Sequence, residues 1–143
     1  MRFMMLMIPK AYEKADPGAL PTAEMVAEMT RYNESLTKAG VLLSLDGLHP
    51  PAEAARVRFS GRKPTVVDGP FAEAKEAVGG YWLIQAKSKA EAVEWARRCP
   101  AQDGDVIEVR QIHELSDFPA DIVPSELGER LQRIARETGT KRG

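Results

Sequence analysis

With one cysteine in 143 residues, Cys99 has nothing inside the chain to pair with. An internal disulfide framework and a cysteine-built zinc site are therefore excluded. Histidine is nearly as scarce. His49 and His113 are the only two, and no His-x-x-x-His or paired-carboxylate spacing of a metal site occurs. Neither sign of charge dominates, since 20 Lys and Arg stand against 21 Asp and Glu, a formal net charge of −1. That balance excludes a broad basic nucleic-acid footprint and gives no sign of a polyanionic partner. Long apolar runs are missing as well. The run from Phe3 to Ile8 is too short to span a bilayer and carries no small-residue cleavage site. The expectation is a soluble cytoplasmic protein that binds neither membrane nor nucleic acid directly and needs no metal or cofactor.

What is present suits one globular domain. Hydrophobic residues make up 43% and charged residues 29%, near the globular average, and the length is enough for a real core. Arg2 to Ile8 is apolar at every position after the arginine and stops at Pro9, which reads as a strand buried on both faces. Lys10 to Pro21 is a polar connection around Asp16-Pro17-Gly18. From Thr22, the residues Met25, Met29, Tyr32, Leu36 and Ala39 recur at helical steps, with Thr22 as the cap and Gly40 past the end. Val41 to Leu45 is a further apolar run. Arg56 to Phe59 and Lys63 to Val67 alternate around Ser60-Gly61-Arg62, a hairpin signature.

Asp68-Gly69-Pro70-Phe71 then turns the chain and opens one short helical turn. Gly79 to Ala86 is another strand. Ser88-Lys89-Ala90-Glu91 has capping-box spacing for a helix that carries Ala92, Val93, Ala96 and Cys99 on one face and ends at Pro100. Asp105 to His113 supplies the last strand. Beyond it, Ser125 caps a helix whose Leu127, Leu131 and Ile134 form a narrow stripe, and Thr138 to Gly143 frays.

This order of elements predicts an α+β domain of the ferredoxin-like kind, an antiparallel sheet with its helices on one face. Two helices cover one face only, yet Phe3 to Ile8 and Tyr81 to Ile84 are apolar at odd and even positions alike. The second face therefore calls for a second copy, packed sheet to sheet about a two-fold axis. A homodimer with a cavity between or beside its subunits is expected.

Thr65-Val66-Val67-Asp68-Gly69-Pro70-Phe71-Ala72-Glu73-Ala74-Lys75-Glu76, followed by Gly79-Gly80-Tyr81-Trp82-Leu83-Ile84, resembles the DGPF-type branch of the YCII-related proteins. Met4 to Ile8, Gly47-Leu48-His49-Pro50-Pro51 and Val106 to Arg110 fit the same pattern. The resemblance covers residues 1–115 and leaves 116–143 as a C-terminal extension with one amphipathic helix. It implies a dimeric α/β barrel of ferredoxin-like subunits, small, bacterial and cytoplasmic, often encoded beside alternative sigma factors and without an established reaction. In the founding YciI-type branch a histidine pairs with an aspartate in a cleft. The resemblance puts Asp68 at the aspartate position. The histidine is expected on the first helix, and Met25 to Ala39 contains none.

Asp68 therefore has two readings, an anchor that accepts hydrogen bonds from the backbone of its own turn and a general base at a cavity mouth. His49, in a loop before two prolines, is either a solvated side chain or the catalytic partner of Asp68. Tyr81 and Trp82 are strand neighbours, so one faces the helices and the other the opposite side. They are core rings or the aromatic wall of a ligand pocket, to which Phe71 and the charged cluster begun by Glu73 would add a rim. Gly79-Gly80 leads into a strand, not a helix, and is not a phosphate loop. No Gly-x-Ser-x-Gly or Cys/His arrangement supports a nucleophilic enzyme. Two functions follow: a dimer that binds a small organic molecule near Asp68, with acid–base catalysis as an extension, or a non-catalytic interaction module acting beside a sigma factor.

Overall fold

Strand β1 (Arg2–Ile8) lies between β5 (Gly80–Gln85) and β6 (Val106–Gln111), and β2 (Leu42–Gly47) adds to the far side of β5. The order β2-β5-β1-β6 is antiparallel at every step. The computed structural model describes residues 1–13, 20–71 and 76–139. Glu73, Lys75 and most of the helical turn expected after Pro70 lie outside the described residues.

Period-two alternation divides the sheet into two faces. Phe3 and Met5 on β1 and Trp82 and Ile84 on β5 point to one side and are all but sealed from solvent. Helix α1 (Ala23–Lys38) adds Tyr32 and Leu36, and α2 (Lys89–Arg97) adds Ala92. Tyr32 meets Trp82 edge to face, with ring centroids 5.8 Å apart, and its hydroxyl donates to the Trp95 carbonyl at 2.7 Å. The buried indole N–H of Trp82 donates to Asn33 Oδ1 at 2.8 Å, so both polar tips of this aromatic pair are satisfied.

The helix ends follow local chemistry. Thr22 Oγ1 accepts from the Met25 amide at 3.2 Å, and Gly40 leaves α1 at φ +73°, where a side chain is disfavoured. Ser88 Oγ accepts from the Glu91 amide at 3.2 Å, while the Glu91 carboxylate reaches back to the amide of Lys87, not that of Ser88, at 2.7 Å. The expected capping box is thus displaced by one residue on its return bond.

Two expectations are corrected. Strands β3 (Ala55–Ser60) and β4 (Lys63–Asp68) form their own two-stranded sheet and do not join the four-stranded one. Every residue of both is exposed, because this hairpin carries only one cross-strand apolar row, Val57 opposite Val66 and Phe59 opposite Pro64. The other correction concerns the helices, which are not confined to one face. Helix α3 (Ser125–Glu137) runs to a cavity whose walls include Thr138 and Gly139 with Arg2, Ser44 and Leu83. Arg2, Ser44 and Leu83 belong to the side of the sheet opposite Phe3, Trp82 and Ile84 by their register. Ala135 of α3 is buried outside the main core, so the extension covers one end of the second face. Ser125 does not cap α3, whose N-cap position is Pro124 with no side-chain bond. Among the described residues the sheet is open, with β2 and β6 as edges, and no barrel closes within one chain.

Candidate functional site

The Asp68-Gly69-Pro70 turn is packed against the loop that precedes β3. The Gly69 amide donates to the Ala54 carbonyl at 2.8 Å, and a Cβ on Gly69 would lie 2.7 Å from the Pro51 oxygen and 2.9 Å from that of Ala52. The turn is held by that backbone bond. The Asp68 carboxylate is exposed and has no hydrogen bond or ion pair among the described residues. Phe71 follows, half-buried, with the Arg56 guanidinium 3.8 Å from its ring centroid.

His49 turns to Glu53 instead of Asp68, with Nδ1 3.0 Å from Oε2, and both groups face solvent. His113 lies 3.9 Å from Asp117 and stacks at a tilt on Phe118. The two residues expected as a catalytic pair are therefore not in contact with each other.

Tyr81 and Trp82 separate as strand neighbours must. Trp82 enters the core, and Tyr81 faces the other side, where its hydroxyl donates to Asp46 Oδ2 at 2.9 Å. The pair is positioned by the crowded junction of β2 and β5. Gly79 binds the Met7 carbonyl through its amide and the Leu48 amide through its carbonyl, and a Cβ there would strike the Pro9 ring at 2.6 Å. The hydrogen bond and the charge of Asp46 raise the Tyr81 pKa, so the phenol keeps its proton as a donor. Leu6, Ile8 and Leu83 share this side of the sheet with Tyr81 and are half-buried, and Val106 is 54% exposed. Asp46 was not singled out from the sequence. Next to Gly47 it reads as a turn residue, and only the register places it opposite Tyr81.

Two cavities among the described residues lie elsewhere. One, of about 500 Å³, is the space between the end of α3 and the sheet at Arg2 and Leu83. The other, of about 400 Å³, opens on the helix side between α1 and the connection from α2 to β6, with Met7 as floor and Met25, Met29 and Asn33 along one wall. Asp68, His49, Phe71, Tyr81 and Trp82 line neither. Among the described residues no group of three or more His, Cys, Asp or Glu could hold a metal ion, and no helix is long and apolar enough to cross a membrane.

The family model of the YCII-related domain matches residues 1–116. The chain belongs to the YCII-related family. Its matched segment spans both sheets, α1 and α2 and stops just past Glu114, leaving α3 outside. A curated relative, an uncharacterised protein of Rhizobium meliloti (strain 1021), is 36% identical over 73 residues. That match covers 51% of this chain and 59% of the relative's length.

Proposed function

We propose that this YCII-related chain works as a homodimer of ferredoxin-like subunits that pack through the uncovered part of their sheets and hold a small organic molecule there. The observation that carries the reading is the Tyr81–Asp46 hydrogen bond beside Leu6, Ile8 and Leu83, on a sheet side whose β6 edge carries the exposed Glu108 and Arg110. An oriented phenol among aliphatic side chains is the composition of a ligand wall, apolar with one or two fixed polar groups. The strand order β2-β5-β1-β6 with α1 and α2 on one side supports the ferredoxin-like subunit, and two such sheets face to face would form the α/β barrel. Asp68 stands outside this reading, because an exposed carboxylate with no partner among the described residues lacks the environment that tunes a general base.

Light scattering at micromolar concentration should give twice the chain mass for the wild type and the chain mass for Leu6→Glu. A monomeric wild type overturns the dimer. In a thermal-shift screen of small organic acids, amides and phenols, hits on the wild type should be lost in Tyr81→Phe and kept in Asp68→Ala. The reverse pattern would restore Asp68 to the site.

A second reading, a non-catalytic module that binds a protein such as an alternative sigma factor, is favoured by the outer edge of α3. There Leu127 and Ile134 are 40% and 55% exposed. Binding of a purified sigma factor that Ile134→Glu abolishes would support it, and equal binding by both chains would remove α3 from it.

A further inference from the structure

The cleft on the helix side arises from a mismatch of lengths. Helix α1 has 16 residues and α2 has 9. At 1.5 Å per residue the difference leaves about 10 Å of α1 without a helical neighbour. The apolar stripe of α1 runs on past the point where α2 can cover it. Tyr32 and Leu36 are in the core, whereas Met29 and Met25, one and two turns before Tyr32, overhang the cleft. Its volume of about 400 Å³ falls within the range of small-molecule sites. Methionine walls are unbranched and polarizable, and they adapt to an irregular apolar guest.

One polar group in this wall is aimed by the core. Asn33 Oδ1 accepts the buried indole N–H of Trp82, which fixes which end of the carboxamide is oxygen. The Nδ2 amide of Asn33, on the cleft wall, is thereby presented as a donor, and it has no partner among the described residues. Opposite, Asp105 is the one ionisable lining group among the described residues. Its carboxylate oxygens accept the backbone amides of Lys10 at 3.0 Å and Gln102 at 2.8 Å. A carboxylate in the wall repels an anionic guest, and each of its oxygens already accepts one backbone amide.

We infer that this cleft is a binding site for an uncharged, largely apolar small molecule with one carbonyl-type acceptor, the acceptor taking the Asn33 Nδ2 donor and the apolar body lying on Met7, Met25 and Met29. The site is separate from the Tyr81 side of the sheet and does not depend on the dimer. Tyr32 and Trp82 connect its wall to the core, so occupancy should also be felt in the Trp82 environment.

The test uses the full chain and the neutral fluorescent ketone 6-propionyl-2-dimethylaminonaphthalene, whose emission shifts to the blue in apolar surroundings. The wild type should bind it saturably, Met29→Trp should abolish binding by filling the cleft, and Asn33→Asp should weaken it about tenfold. Asn33→Asp keeps the acceptor for Trp82 while removing the donor, so near-ultraviolet circular dichroism should show an unchanged core. If Met29→Trp does not fold, Val26→Trp at the exposed rim of the same wall makes the same test. Tyr81→Phe should bind as the wild type does. No saturable binding by the wild type, full binding by both the tryptophan and the aspartate variants, or loss of binding in Tyr81→Phe alone overturns the inference.

Discussion

Arg2 and Glu114 hold each other at 112 residues' separation, Nε to Oε1 at 2.7 Å and Nη2 to Oε2 at 3.3 Å. The guanidinium side chain is 6% exposed and its partner 22%. This two-pronged contact ties the first residue of β1 to the segment that leads into the C-terminal extension. Removing the acid leaves a sealed cation unpaired. Glu114→Ala should therefore cost about 3 kcal/mol in a urea titration, and a loss below about 1 kcal/mol would mean that water reaches Arg2 freely.

Gly69 is surrounded by the backbone oxygens of Pro51, Ala52 and Ala54, which cannot rotate aside as side-chain atoms do. Gly69→Ala should destabilise the chain by about 1–3 kcal/mol through crowding. Amide NMR shifts should change at residues 51–54, and an unperturbed loop there would show that the turn has room.

Asp68 next to it should behave in the opposite way. Because its carboxylate is exposed and makes no hydrogen bond among the described residues, Asp68→Asn should shift stability by no more than about 0.5 kcal/mol. A larger loss in thermal unfolding would mean that the acid does anchor its turn.

Burial, with the charge of Asp105 adding to it, pushes the Cys99 thiol up to about 12. The thiolate is the reactive form, so iodoacetamide at pH 8 should label the folded chain at least ~100-fold more slowly than the unfolded one. The folded state holds its proton where the unfolded thiol, with a pKa of about 8.5, releases it. The stability contributed is thus full below about pH 8.5 and is lost as pH climbs towards about 12. Burial raises the Tyr32 phenol as well, which steepens the same alkaline decline. Urea midpoints should fall across that window, and less steeply in Cys99→Ala.

Features that depend on neighbours in sequence were legible in it. The Thr22 and Ser88 caps, the stop at Gly40, the places of β1 and β5 and the opposite facing of Tyr81 and Trp82 all follow from local spacing. What was not legible depends on distance. Nothing near Glu114 announces Arg2, and nothing near Ser125 says that α3 will reach the second face of the sheet. The spacing of α3 predicts a stripe of Leu127, Leu131 and Ile134, but the helix is turned so that Ala135 is buried while Leu127 and Ile134 stay exposed. Asn33, a polar residue beside an apolar stripe, reads as solvated, and only packing shows that it receives the Trp82 indole. Asp68 and His49 are a pairing of residue types. The structure gives them different surroundings, solvent for one and Glu53 for the other.

The β3–β4 hairpin shares no strand pairing with the other described residues, and all of its residues are exposed. Its ladder can therefore open without disturbing Phe3, Met5 or Ile84. Amide hydrogens at Val57 and Val66 would exchange with solvent through a private, shallow opening, while those of β1 and β5 wait for the whole sheet to come apart. The chain thus has two clocks, and the turn at Asp68 runs on the faster one.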